Sequence, residues 1–192
     1  SLLKGREGEA IASEAVTIVD DPHRPHSAAS KPFDGEGVPT RKKNVVEKGV
    51  LQTLLHNLTT AAKQGVTTTG NAARGYASAV GVAPSNFYIA PSQESVEAML
   101  VRMGEGFLIT EVSGLHAGAN QISGDFSLLA KGFAVRGGQK AEPVEQITVA
   151  GNFFAVLKDV VAVADDLAFG LPGGSLVGSP TIWVKALSVA GK

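Results

Sequence analysis

Twenty-three glycines spread through 192 residues constrain this chain more than any other feature. Most stand between short β-branched or aromatic runs, which is the pattern of hairpins, bulges and tight turns rather than of long helices. Phe87-Tyr88-Ile89, Phe107-Leu108-Ile109, Phe126 to Val135 and Ile147-Thr148-Val149 read as strands. Val45 to Leu51 reads as two strands joined by a Glu47-Lys48-Gly49 turn, with Gly49 taking the positive φ. Arg136-Gly137-Gly138-Gln139 is a second hairpin turn. Glu14 to Val19 alternates as a first strand closed by Asp20-Asp21-Pro22, and Thr181 to Val189 is the last one.

Helical signals are few. Asn57 is an N-cap for a helix through Gln64, and Gly65 terminates it. Ser92 is expected to cap a second helix with Val96, Met99, Leu100 and Met103 on its apolar face. Asn152 is expected to cap a third, with Phe153, Val156, Leu157 and Val160 on one side. Residues 22–44, which hold Pro22, Pro25, Pro32 and Pro39, read as a long ordered loop or a set of turns, and residues 66–84 and 170–178 read as loop. The expectation is a mainly β (α+β) chain of antiparallel, barrel-like or sandwiched sheets with two or three short helices, in a single domain over 1–192.

A chain of this length buries roughly 70% of its unfolded surface and needs no staple. It contains no cysteine, which removes disulfides, thiolate metal sites and cysteine nucleophiles and suits a reducing cytoplasm. Charged residues are only 18%, fewer than the usual ~25%. That scarcity fits either a partner-covered surface or a well-filled β core. The net charge is -1 and the only basic run is Arg41-Lys42-Lys43, too little for phosphate neutralisation, so no direct nucleic-acid contact is expected. No apolar stretch reaches the ~18 residues of a membrane span, and the start of the chain is no signal peptide.

Several groups invite a chemical reading. His23 and His26 form H-x-x-H, but prolines at 22 and 25 forbid regular helix there, and a catalytic zinc needs a third ligand. No metal site is therefore expected in this chain. Asp34 and Glu36 in Phe33-Asp34-Gly35-Glu36-Gly37 have the look of a calcium loop without its remaining ligands. Glu111, His116 and Asp125 are the candidate functional residues, a conceivable proton-transfer set, with His116 held between Gly114 and Gly118. No Walker, dinucleotide, G-x-S-x-G or H-E-x-x-H pattern is present, and no complete catalytic constellation emerges.

Seven runs in order resemble the TldD/PmbA family, known as modulators of DNA gyrase and as a two-component peptidase system. They are Ile18-Val19-Asp20-Asp21-Pro22, Phe33 to Thr40, Lys48-Gly49-Val50-Leu51, Thr69-Gly70-Asn71-Ala72, Ser123 to Ser127, Pro143 to Asn152, and Gly178-Ser179-Pro180-Thr181. The resemblance is to the C-terminal half alone; the N-terminal domain of such proteins is absent from this chain. It implies a mostly β domain. In the peptidase subunit, TldD, the resemblance places a metal-ligating H-E-x-x-x-H in the missing half and a cysteine ligand near the C-terminus. The comparable stretch here, Asp165 to Val177, has no cysteine, which aligns the chain with the PmbA/TldE side.

The implied role is a cytoplasmic partner subunit of a TldD-type metallopeptidase, or a homo-oligomer, that helps enclose unfolded peptide. Zinc is expected in the other subunit and no cofactor in this one. Glycine-flanked strands such as Gly106 to Val112 are expected walls of the enclosure. The alternatives are an independent hydrolase using His116 with Asp125 or Glu111, and a protein-binding modulator of DNA gyrase.

Overall fold

The computed structural model describes residues 2–171 and 173–191. The chain forms strand β1 (Ile18–Asp20), the hairpin β2 (Lys43–Glu47) and β3 (Val50–Leu51), and helix α1 (Leu58–Gln64). A small pair, β4 (Ala72–Ala73) and β5 (Gly81–Val82), precedes β6 (Asn86–Ile89) and helix α2 (Val96–Met103). Then come β7 (Gly106–Ser113), the one-turn helix α3 (Leu115–Gly118), and the long hairpin β8 (Asp125–Arg136) and β9 (Gln139–Asn152). Helix α4 (Phe153–Lys158) leads to β10 (Val160–Val163), β11 (Ala168–Phe169), β12 (Leu176–Ser179), β13 (Ile182–Val184) and β14 (Ser188–Ala190).

Two sheets organise these elements. One has the order β11-β12-β6-β1-β2-β3, antiparallel except where β12 runs parallel to β6. The other, β14-β9-β8-β7, is antiparallel throughout. Both end in edge strands, so the expected mainly β, antiparallel class holds but neither sheet closes into a barrel.

The larger core lies against the first sheet. Ile11, Val16, Val46, Leu51, Leu157 and Val163 are all buried there, with Ile18, Phe87 and Ile182 packed onto them. The segment before β1 is stitched to the β2–β3 turn: Ile11 and Ala12 N–H both donate to Gly49 O, and Gly49 N–H donates to Val16 O. Gly49 sits at φ 82° after Lys48 at φ 45°, a left-handed pair that matches the twist of a two-residue hairpin. A Cβ on Gly49 would stand 2.4 Å from Ala12 O, so the residue answers both to its dihedral and to its neighbour.

A buried polar cluster ties the strands of that sheet to the loops above them. Asp20 is fully buried and pairs with Lys43 Nζ at 2.9 Å. Asn71 Nδ2 donates to the same carboxylate at 2.7 Å, and the Ser85 N–H and hydroxyl donate to its other oxygen at 2.7 and 2.9 Å. Lys43 also donates to Asn71 Oδ1 at 3.1 Å, closing the triangle. Burial alone would push the Asp20 carboxyl up, and this is the largest single influence. The hydrogen bonds from Asn71, Lys43 and Ser85, with the Lys43 charge, outweigh it and hold the group below the usual carboxylate range.

Local expectations hold where a cap or a turn decides the matter. Asn57 caps α1 through Thr60 N–H at 2.7 Å, and Gly65 ends it at φ 67°. The hairpin turn between β8 and β9 falls at Gly137-Gly138. Other expectations are corrected. Ser95, not Ser92, caps α2, because the Ser92 hydroxyl is committed to Val163 O. The first strand starts only at Ile18 and includes Asp20. Val160, expected on the face of α4, begins β10. Helices number four among the described residues, since α3 forms a single turn between β7 and β8. Residues 66–84 contain the short β4–β5 pair. The loop expected over 170–178 contains the start of β12, where Gly178 makes room for the Phe169 ring rather than a turn; Pro172 in that loop lies outside the described residues. The last expected strand divides, β13 pairing with β10 and β14 with β9.

Two outcomes follow from this packing. Gly49→Ala should lower stability by about 2–4 kcal/mol in chemical denaturation, combining left-handed strain with the backbone clash. Asp20→Ala leaves Lys43 buried without its counter-charge and should cost about 3–5 kcal/mol. Because the folded carboxyl lies below its unfolded value of about 3.9, its contribution is complete above that pH and declines as pH falls through the lower folded value. In an acid titration followed by circular dichroism, Asp20→Asn should flatten that limb.

Candidate functional site

The three candidate residues fall around the β7–α3–β8 connection. Glu111 is in the second half of β7, His116 is on α3, and Asp125 is the first residue of β8. The connection is built from local polar contacts. Gly114 turns the chain at φ 85°, and the Gly118 N–H donates back to Gly114 O at 2.7 Å. Asn120 Oδ1 accepts from the N–H groups of Ile122 and Ser123 at 2.9 and 3.0 Å. Asn120 N–H donates to Asp125 O at 2.8 Å and Gly124 N–H to Asn120 O at 2.9 Å, folding residues 120–125 into a compact loop.

Asn152 fastens that loop to α4. Its Nδ2 donates to Ser123 O at 2.9 Å and to the Asp125 carboxylate at 2.8 Å, while its Oδ1 accepts from Phe154 and Ala155 N–H. The Asn152 bond first, and Ser123 second, lower the Asp125 carboxyl below its ordinary value. Glu111 is paired with Lys131 across the strand at 2.9 Å, which raises the lysine in turn. His116 is exposed and makes no side-chain hydrogen bond among the described residues. No hydrogen bond links it to Asp125 or Glu111; each carboxylate has a different partner.

Beside this loop lies an open cleft of about 730 Å³. Ala117 to Ile122 form one wall and Asp125 to Ser127 the other. Ile122, 78% exposed, presents an apolar side chain to the cleft. Its polar side chains are those of Asn120, Gln121, Asp125 and Ser127.

Of the remaining titratable motifs, His26 is exposed at φ 55°, while His23, Asp34 and Glu36 are held by the chain itself. His23 Nε2 lies 3.1 Å from Thr40 Oγ1. That hydroxyl's hydrogen goes to Lys31 O, so the histidine is the donor. Asp34 accepts from Glu36, Val38 and Ala72 N–H, and Glu36 accepts from Leu58 N–H at the start of α1. The calcium-like motif is thus an Asx-type loop brace. No three His, Cys, Asp or Glu side chains are grouped to share a metal ion among the described residues. None of the described helices is long and apolar enough to cross a membrane.

Sequence reasoning overlooked two features. His56, only 3% exposed, meets Thr60 Oγ1 through Nδ1 at 3.3 Å. The Asp20–Lys43–Asn71–Ser85 cluster was also missed, although Asp20 and Asn71 both lie in runs that carry the family resemblance.

Residues 1–191 match the model of the PmbA/TldA metallopeptidase C-terminal domain. A metalloprotease PmbA homolog of Haemophilus influenzae is 37% identical over 168 residues, covering 87% of this chain and 35% of the relative. A Thermotoga maritima protein whose crystal structure is named for a modulator of a DNA gyrase superposes with a TM-score of 0.89 at 46% identity, covering 99% of this chain and 42% of that one. TldE from Thermococcus kodakarensis superposes with a TM-score of 0.87 at 28% identity, covering 98% and 42%. The chain therefore spans about a third of its curated relative and two-fifths of the solved chains. It belongs to the PmbA/TldD family, in the part that forms the family's C-terminal domain.

Proposed function

We propose that this chain is the C-terminal domain of a PmbA- or TldE-type partner subunit, which joins a TldD-type metallopeptidase in processing unfolded peptide. The observation that carries the reading is the composition of Asp165 to Val177. Where the resemblance implies a cysteine ligand in the peptidase subunit, this chain has none. Similarity to PmbA and to TldE supports the same side of the pair.

In this reading zinc belongs to the TldD-type subunit, where it supplies activated water. This chain contributes shape. The cleft beside α3, with His116, Glu111 and Asp125 around it, faces the peptide and holds it by backbone and apolar contact. The independent-hydrolase alternative gains nothing from the geometry, because Glu111 is committed to Lys131 and Asp125 to Asn152.

Mixing this protein with a TldD-type subunit should yield peptide cleavage that a chelator abolishes. His116→Ala should leave turnover within about twofold. A loss of 10²–10⁴-fold, the range for removing a general acid or base, would assign the chemistry to this chain instead. So would cleavage by this protein alone that survives chelation.

A further inference from the structure

We infer that the cleft beside α3 selects peptides through a basic side chain, a lysine or arginine set against Asp125, an assignment that rests on the reading that this chain receives unfolded peptide. The lining runs over Ala117 to Ile122 and Asp125 to Ser127 and holds one formal charge, the Asp125 carboxylate. That charge is isolated in the sequence as well. Residues 112–130 contain no other Asp or Glu and no Lys or Arg. The residues that flank them, Glu111 and Lys131, neutralise each other.

Asp125 is hydrogen-bonded without being neutralised. Asn152 Nδ2 donates to its Oδ1 at 2.8 Å, and an amide donor favours the charged form of a carboxylate while bringing no counter-charge. Among the described residues no lysine, arginine or histidine nitrogen stands within ion-pairing distance of it. The two carboxylates that precede it in sequence, Glu105 and Glu111, are both paired, with Arg136 and Lys131. The Asp125 side chain is also exposed and fixed in place. Its backbone pairs with Asn152 at the start of β8, and its carbonyl accepts from Asn120 N–H. A ligand therefore meets a preoriented charge, and little of the binding energy goes into ordering the protein.

The chemistry of the occupant follows from sign, size and lining. A cleft of about 730 Å³ lies in the range that holds a ligand as large as a few residues. An acidic side chain beside Asp125 is repelled, and a neutral one leaves the carboxylate to water. An ammonium or guanidinium forms a charge-assisted hydrogen bond with it. The opposite wall suits the rest of such a side chain: Ala117, Ala119 and Ile122 present apolar surface to the methylene stem of lysine or arginine while the charged head stays wet. A peptide's terminal ammonium has no such stem, which favours a side chain over a chain end. Because Asp125 is in contact with water, screening keeps the discrimination modest.

Fluorescence anisotropy on the purified chain tests this with N-acetylated, unstructured peptides identical except for lysine, norleucine or glutamate at one central position. The lysine peptide should bind about three- to tenfold more tightly than the norleucine peptide, and the glutamate peptide most weakly, with the differences shrinking in high salt. A norleucine peptide with a free amino terminus should bind no more tightly than its acetylated form. Asp125→Asn keeps the oxygen that Asn152 grips and should remove the preference for lysine. Gln121→Glu adds a second carboxylate on the other wall, outside these hydrogen bonds, and should enlarge the preference at least about twofold. Equal binding of the lysine and norleucine peptides, a preference that survives Asp125→Asn, or a free amino terminus that replaces the lysine overturns the inference and leaves the proposed function standing. Failure of every peptide to bind at millimolar concentration removes the cleft from peptide binding and this inference with it. The chelator-sensitive cleavage assay with a TldD-type subunit then decides the proposed function separately.

Discussion

The fold depends on one buried charge pair. Asp20 and Lys43 sit on adjacent strands β1 and β2, and Asn71 and Ser85 reach the same carboxylate from loops distant in sequence. An isolated carboxylate in this position would be forbidden by desolvation. It is tolerated because four donors, one of them the Lys43 counter-charge, converge on it. The same contacts bind the loop around Asn71 and the start of β6 to the middle of the six-stranded sheet. Asp21, the next residue, extends the arrangement outward through Lys42 and through His23 N–H. The proline-rich segment is anchored in this way, and its Asp34 brace holds the β4–β5 region in turn.

The second sheet follows a different logic. Its apolar cluster, Leu128, Ala130, Ile147 and Val149, is supplied by neighbouring strands of the same sheet, with Ile109, Phe126 and Val144 at the margins. Small residues make this possible. A Cβ on Gly132 would stand 1.9 Å from Leu108 O, so β7 and β8 come together there only because that position has no side chain. The candidate cleft is at the α3 end of this sheet, on a loop made rigid by Asn120 and Asn152. A preorganised loop leaves little ordering to be done on binding any ligand.

Much of the local structure was legible. The Asn57 cap, the Gly65 terminator, the Gly49 turn and the Gly137-Gly138 turn each declare themselves within a few residues, because each is a short-range hydrogen-bonding or dihedral problem. Misreadings arose where a residue answered to a distant neighbour. Ser92 looked like a cap but serves Val163 O, seventy-one residues away. Gly178 looked like a loop glycine but makes room for an aromatic ring. Of the candidate residues, the sequence singled out Glu111, His116 and Asp125 as titratable groups on or between strands, and spacing alone did not place them together. Their actual partners, Lys131 and Asn152, could not be read because they come from other strands.

By itself, the sequence determined the class of the fold, its family, the absence of thiol chemistry and most of its caps and turns, since these depend on composition and on contacts a few residues long. Tertiary structure alone decided that two sheets remain open, that Asp20 and Asn71 share a buried lysine, and that the carboxylates of the candidate set belong to separate ion-pair and hydrogen-bond partners. Those outcomes turn on which strands become neighbours. Strand neighbours are set by the balance of burial and hydrogen bonding over the whole chain, which no local pattern encodes.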